Sequence, residues 1–288
     1  MTDKNDLYIS TCPIGCLDSL RETDVVLAEG PLLACRVCSQ LISQCSRLRY
    51  EQSMSEFNTA EGTLPSKDAV KRHFQRTSGW LSAIAERLNK PNHKIRLLDV
   101  GCSTGALLVV AGRLGFIAEG VEPAPLAVKS ARDSGLIVHQ GTLEEINFLS
   151  DTFDVVTMFE VIEHVKNPFF LVKECHRILK SGGLLVLGTA NTDSWTVKIQ
   201  KSRWEYFNIS KHGGHVSFFN RNSIRILADR CGFKVESLKT GSVSFMERNN
   251  NSALIYRPLK ILAELMNFPS KIFGKGHDML VFLRKPKR

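Results

Sequence analysis

From residue 95 onward, short apolar runs alternate with segments of helical period, and the helical segments stop at glycine-bearing turns. The apolar runs fall at 95–100, 117–121, 136–139, 153–158, 184–188, 233–238 and 279–283. Helical segments occupy 106–114, 124–134, 168–179 and 223–231, and are followed by Gly115, Gly135, Gly182-Gly183 and Gly232. Glycine reaches positive φ without a Cβ clash, which suits the position just past a helix. Strands separated by helices pair through crossovers rather than hairpins. They call for an α/β, doubly wound, mostly parallel sheet covered on both faces.

The strongest single signal follows the first of these strands: Leu97-Leu98-Asp99-Val100-Gly101-Cys102-Ser103-Thr104-Gly105. A buried strand enters a tight glycine turn and a helix follows. Gly101 and Gly105 have no side chains, so a ligand can come close to the backbone there. In doubly wound folds, ligands sit at the carboxyl ends of the strands, where this turn falls. Glu122 closes the next strand, 23 positions after Asp99, and Pro123 follows it. An acid at that tip can accept hydrogen bonds from both hydroxyls of a ribose, which indicates an adenosine-containing cofactor. A dinucleotide would call for Gly-x-Gly-x-x-Gly, with a helix N-terminus facing the pyrophosphate. The loop lacks that triple, and the Asp99 carboxylate at its mouth would repel a pyrophosphate. A cofactor bearing an ammonium and a sulfonium suits it better, so charge favours S-adenosylmethionine over NAD. Taken alone, Asp99 is equally a strand-end or capping acid.

Segments 97–108, 119–123, 153–165 and 179–189 resemble successive motifs of the class I S-adenosylmethionine-dependent methyltransferases, across roughly the last two-thirds of the chain. The resemblance implies a Rossmann-like, seven-stranded sheet whose last strand, 279–283, runs antiparallel. It implies that Asp99 and Gly101 hold the amino-acid end of the cofactor and Glu122 its ribose. Cys102, Gly105 and Pro123 complete that loop set, Thr142 and Leu143 flank the adenine, and Phe159 lines the cofactor side.

Methyl transfer from a sulfonium is an in-line displacement, so alignment and exclusion of water supply much of the catalysis. A general base is needed only when the acceptor must lose a proton, as a hydroxyl must. Phe159-Glu160-Val161-Ile162-Glu163-His164 is the acceptor-side candidate. Were it helical, Glu160 would share a face with Glu163 and His164 at i+3 and i+4. Two carboxylates and an imidazole on one face suit a divalent cation or acid–base work, with His164 near the transferred methyl. The arrangement resembles the metal site of ubiquinone-pathway O-methyltransferases and that of small-RNA terminal 2′-O-methyltransferases. The same turn also occurs in class I relatives where no metal is assumed. A second cluster, Lys211-His212-Gly213-Gly214-His215-Val216-Ser217-Phe218-Phe219, follows Trp195, Arg203, Trp204 and Tyr206. It lies after the fifth strand, where loops cover the acceptor, and resembles a pattern in methyltransferases of small metabolites and glycans. His212 or His215 is then the base or a further ligand of the cation; alternatively, His215 packs and caps beneath the loop.

Five of the eight cysteines lie in residues 1–50. Cys12-x-x-x-Cys16 and Cys35-x-x-Cys38 are separated by 18 residues. Two pairs at such spacing favour a small tetrahedral zinc ribbon over four buried thiols, although the first pair carries one extra residue. The segment resembles the zinc-ribbon leader of some sugar-modifying methyltransferases. Cys45, Cys102, Cys175 and Cys231 read as structural.

The chain thus divides into a cysteine-rich segment at 1–50 with little periodic pattern, a helical lead-in at 51–94, and the methyltransferase domain at 95–288. In the lead-in, Val70, Phe74, Trp80, Leu81, Ile84 and Leu88 form a stripe in which Gly79 is a candidate break. Residues 241–276 form a lid-like insert. Within it, 253–276 mixes apolar and basic residues, which suits a lid first, and otherwise a membrane-surface helix or a dimer contact. No apolar leader follows Met1 and no run approaches the ~20 apolar residues of a membrane span, so a cytoplasmic protein is expected. The net charge of +9 permits an anionic partner, though it is dispersed, and the tail Arg284-Lys285-Pro286-Lys287-Arg288 reads as a solvated end. The favoured function is methylation of an oxygen, over nitrogen or carbon, on a small-molecule, sugar or lipid-linked acceptor. The rivals are an RNA 2′-O-methyltransferase, a non-catalytic cofactor-binding scaffold and, least, an NAD-dependent oxidoreductase. The sequence leaves the oligomeric state open.

Overall fold

The computed structural model describes residues 6–17, 20–59, 67–211, 213–245 and 253–287. Three short strands come first, β1 (Leu20–Leu27), β2 (Gly30–Cys35) and β3 (Leu41–Ile42), followed by helices α1 (Arg47–Thr59) and α2 (Lys67–Leu88). Strand and helix then alternate through β4 (Arg96–Val100), α3 (Ala106–Arg113), β5 (Ile117–Glu122), α4 (Pro125–Asp133), β6 (Val138–Gln140), α5 (Leu143–Ile146), β7 (Phe153–Phe159), α6 (Pro168–Ile178) and β8 (Leu179–Ala190). The chain ends with α7 (Trp195–Gln200), β9 (Ser217–Phe218), α8 (Arg221–Arg230), β10 (Lys234–Gly241), α9 (Ala253–Phe273) and β11 (Asp278–Arg284).

Seven of the strands form one sheet in the order β10-β11-β8-β7-β4-β5-β6. β4 pairs in parallel with both β5 and β7, and β7 with β8, whereas β11 runs antiparallel between β8 and β10. β7 and much of β8 are apolar and buried without alternation, as strands covered on both faces must be. One face carries Leu98, Val100, Val156 and Met158 against α6 and α8, through Leu171, Cys175, Ile224 and Leu227. The other carries Leu97, Val155 and Val186 against α2 and α3, through Leu81, Ile84, Leu107 and Leu108. The predicted stripe on α2 is therefore a core contact, and the helix runs through Gly79 without interruption. The side chain of Val70 lies outside the described residues.

Two expectations need correction. Residues 1–50 are not patternless: β1, β2 and β3 form an antiparallel sheet closed by β9, far along the chain. β1 is half-exposed and polar at Arg21, Glu22 and Asp24, so its apolar alternation is weak. The basic tail is only partly a solvated end. Arg284 closes β11 and pairs with Glu236, while Lys285 is buried with its ammonium donating to the Leu179 carbonyl and to Asp151. Among the described residues, no helix is long and apolar enough to cross a membrane.

Candidate active site

The parallel register sets the two acids on neighbouring strand tips. Asp99 lies opposite Gly120, and Val100 opposite Val121, one residue before Glu122. Both carboxyls are buried. Thr157, across on β7, donates its hydroxyl hydrogen to Asp99 Oδ1 at 2.6 Å. Loss of water around Asp99 pushes its carboxyl up to about 7, against the pull of that hydrogen bond. The oxygens of Glu122 accept the backbone N–H of Ser103 at 2.8 Å and of Ala124 at 2.9 Å. Each oxygen keeps a lone pair for a further donor, and the bonds tie the acid to the glycine turn itself.

The turn needs its glycines. Gly101 has φ +72°, and a Cβ there would meet Val161 at 2.3 Å; Gly105, at φ +82°, would meet Leu136 at the same distance. Val161 follows Glu160, so the cofactor loop abuts the acceptor-side turn. A buried carboxylate beside a side-chain-free turn, with a second acid a strand away, fits an ammonium and ribose better than a pyrophosphate, and so fits S-adenosylmethionine. Cys102 belongs to the loop through its backbone; its thiol packs into the core under the turn. Pro123 is exposed behind Glu122. Thr142 caps α5 in a reciprocal box with Glu145, and Leu143 is buried beneath it. Phe159 ends β7, with its ring 4.9 Å from that of Trp80.

On the acceptor side, Glu160 to His164 do not form a helix. Glu160 takes φ +53°, and its N–H donates to the Gly188 carbonyl, so the chain reverses instead of coiling. The carbonyl of Glu163 accepts the N–H groups of Val216 and Ser217, which pins the turn to the later loop. The carboxylates therefore do not meet on a helical face but through Tyr206, whose hydroxyl contacts Glu160 at 2.8 Å and also Glu163. Burial raises Glu163 above the usual carboxylate range. Thr189 donates to the other Glu163 oxygen at 3.1 Å.

Two histidines join this pair. His164 Nδ1 donates to the Gly213 carbonyl at 2.7 Å, and His215 Nδ1 to the Tyr206 carbonyl at 2.9 Å. Both tautomers are thereby fixed with Nε2 as the basic nitrogen. The rings lie 4.5 Å apart, and His215 Nε2 is 4.0 Å from Glu163. Burial lowers the pKa of His164, which favours the neutral ring. Ligand atoms of Glu163, His164 and His215 all lie within 4.8 Å of one another, a donor set of one carboxylate and two imidazoles that could hold a divalent cation. The carbonyls behind each Nδ1 are the outer partners that orient metal-binding histidines. Glu160 stands at the rim, where it lines a cavity of about 970 Å³ with Trp80, Phe159, Tyr206 and Lys271. His212 lies outside the described residues. Tyr206 was named in the sequence only as part of the aromatic run before His215, without a role, and Thr157 was not singled out.

The four N-terminal cysteines come together. Cys12, Cys16, Cys35 and Cys38 are buried free thiols whose sulfurs all lie within 4.8 Å of one another. Cys12 and Cys38 are 3.6 Å apart, close to the ~3.8 Å that tetrahedral bonds of ~2.3 Å to zinc would set. Hydrogen bonding with Cys38 lowers the Cys12 thiol below its ordinary value, which favours the thiolate that metal binding needs. The donor set fits zinc.

A parallel sheet in this order, reversed only at its last strand in sequence and with its ligand turn at the tips of two central strands, is the architecture of the class I S-adenosylmethionine-dependent methyltransferases. S-adenosylmethionine is the cofactor of that class. The chain belongs to the methyltransferase domain family, whose profile matches residues 72–238. It is 36% identical over 122 residues to a ubiquinone biosynthesis O-methyltransferase of Cereibacter sphaeroides, covering 40% of this chain and 49% of that protein. A protein of the same name from Haemophilus ducreyi is 36% identical over 107 residues, covering 33% and 45%. The chain spans about half the length of these curated relatives. In fold it is similar to a SAM-dependent methyltransferase of Thermotoga maritima, with a TM-score of 0.51 and 23% identity over 81% of this chain and 99% of that one. It is also similar to one from Archaeoglobus fulgidus, with a TM-score of 0.50 and 18% identity over 75% and 97%.

Proposed function

We propose that this chain transfers a methyl group from S-adenosylmethionine to a hydroxyl oxygen of a small-molecule acceptor, with Glu163, His164 and His215 at the reacting end. The observation that carries the reading is the contact between its two halves: the glycine turn at Gly101 abuts Val161, inside the turn that presents Glu160, Glu163 and His164. The name of the curated relatives supports oxygen as the atom methylated.

Bound S-adenosylmethionine supplies a methyl already activated on a sulfonium. Asp99 would hold the ammonium of its amino-acid end, and Glu122 the ribose hydroxyls. Gly101 and Gly105 let the backbone close on it, Thr142 and Leu143 bracket the adenine, and Phe159 with Trp80 keeps water from the transfer line. The acceptor hydroxyl loses its proton to the Nε2 of His164 or His215, each held in the basic tautomer by its carbonyl partner. The cofactor would supply its methyl to that oxygen and depart as a neutral thioether. Alternatively, a divalent cation held by Glu163 and the two Nε2 atoms would make the acceptor hydroxyl more acidic in place of a histidine base, since neither ring has another free nitrogen. Zinc in the four-cysteine site would serve structure, since it has four protein ligands and no open position.

The test is transfer of labelled methyl from S-adenosylmethionine to a metabolite extract with purified protein. The expected product is a methyl ether of a small molecule, lost on His164→Ala and stimulated by added divalent cation. Label entering RNA, with affinity that collapses as salt rises, would reassign the acceptor. Tight cofactor binding without turnover on any acceptor would instead leave a scaffold protein.

A further inference from the structure

Six of the large apolar side chains that stand exposed lie on one helix, α9: Ile261, Leu262, Leu265, Phe268, Ile272 and Phe273, each 47% to 73% exposed. Ile261, Leu265, Phe268 and Ile272 fall at i, i+4, i+7 and i+11, which is one stripe of an α-helix. The inward side of α9 is different. Ala263 and Ser270 are buried where the helix packs against β10, and Thr240 donates its hydroxyl hydrogen to the Ser270 carbonyl. A lid would turn its apolar rings toward the site, whereas α9 turns them away from the protein. Arg257, Lys260 and Lys271 follow the stripe along one flank at helical spacing, and Glu264, the single acid of the helix, sits on the same flank 3.8 Å from Lys260, leaving it net basic. Lys271 also lines the cavity that holds Glu160, so this end of the helix is part of the cavity's rim.

We propose that α9 seats the protein on an anionic lipid surface. The stripe enters the boundary between headgroups and acyl chains, and the basic flank lies among the headgroup phosphates. This is the arrangement physical chemistry favours for a helix with an outward apolar face and lysines long enough to reach past it. The charge decides between occupants. A second copy packed antiparallel on the same stripe would set the two basic flanks side by side, on a chain whose net charge is already +9. An anionic bilayer instead offers apolar depth and opposite charge together. Seated this way, the cavity opens at the membrane plane, which suits an acceptor carrying a lipid tail. That last point rests on the methyl-transfer reading, but lipid binding itself is measured with neither cofactor nor acceptor present.

The experiment is flotation of the full chain with vesicles of phosphatidylcholine alone and of equal parts phosphatidylcholine and phosphatidylglycerol. Binding is expected to the mixed vesicles, weaker as salt rises, with little to phosphatidylcholine. The double variant Leu265→Asp with Phe268→Asp is expected to lose at least about tenfold in partitioning while its cofactor affinity is unchanged. Arg257→Gln with Lys260→Gln, which leaves the apolar stripe intact, is expected to lose the preference for anionic vesicles. Failure of the parent chain to bind mixed vesicles at low salt overturns the proposal. So does a double aspartate variant that floats as well as the parent, or a chain that ignores vesicles and forms a dimer dissolved by Leu265→Asp.

Discussion

Tyr50 donates its hydroxyl hydrogen to the backbone carbonyl of His164 at 2.9 Å, joining the N-terminal part of the chain to the acceptor-side turn. The Tyr50 ring is itself stacked on Tyr8, 3.9 Å away. Close by, Ser43 N–H donates to the Val216 carbonyl, and Gln40 donates to Ser217 at 2.7 Å, on either side of the β3–β9 pairing. The turn that carries His164 and the loop after His215 are therefore braced from outside the parallel sheet. Tyr50→Phe keeps the ring stacking and removes the hydroxyl's bonds to the His164 carbonyl and to Tyr8, at a cost of about 1 kcal/mol for each. The expected outcome is a several-fold fall in kcat with cofactor affinity unchanged, measured by steady-state kinetics and calorimetry. A variant with parental kcat would show that the brace is irrelevant to the turn.

Asp99 predicts a pH dependence. Its carboxyl, pushed up to about 7 chiefly by burial, must be ionised to hold an ammonium. Cofactor affinity should therefore rise about tenfold from ~pH 6 to ~pH 8, as the ionised fraction does. The ligand-free protein behaves oppositely. A folded pKa raised above the unfolded value of about 3.9 gives stability that is complete below that value and lost as pH rises through about 7. Asp99→Asn should bind the cofactor weakly and without this slope, yet melt higher than the parent near pH 8 when empty. Titration calorimetry and thermal melts across the range check both signs.

Asp99 and Glu122 were legible in the sequence because one local pattern, strand-turn-helix-strand, fixes both. Two neighbouring parallel strands then bring their tips together whatever the rest of the chain does. All seven strands of the large sheet were legible for the same reason: each is a short apolar run bounded by its own stop signal. The contacts between Tyr206 and the two glutamates were not. They depend on a non-glycine residue at positive φ, Glu160, and on a loop more than forty residues later. Helical spacing suggested a shared face, and the chain reached the same neighbourhood of acids through a reversal. The small sheet was hidden because it is closed by β3 and β9, each two residues long and paired across most of the sequence.

Gly79 offers a test of the lead-in helix. It sits within α2 at ordinary helical φ, and an added Cβ would meet nothing within 4 Å. Glycine in a helix interior is less stable than alanine by roughly 0.5–1 kcal/mol, because it is freer in the unfolded chain. Gly79→Ala should therefore raise the melting temperature by a few degrees without changing methyl transfer. An unchanged or lowered melting temperature would indicate that α2 is not continuous in solution.

The four cysteines carry the last prediction. Their cage is built against α8. Asn220 and Asn222, at the start of α8, donate to the Cys38 carbonyl, and Arg230 donates to the Ile14 carbonyl and reaches the Cys16 sulfur at 3.5 Å. An arginine beside clustered thiolates offsets their charge, and the asparagines fix the Cys38 knuckle against the main domain. If zinc fills the cage, the purified protein contains one equivalent of it, and Cys35→Ser loses both the metal and several degrees of thermal stability. Because β3 leaves this cage only three residues after Cys38 and pairs with β9 just beyond His215, removing zinc should also reduce kcat while the Asp99 pocket still binds cofactor. Elemental analysis read beside kinetics and calorimetry separates the outcomes. Metal-free protein with parental stability and turnover would make the four thiols a packing cluster.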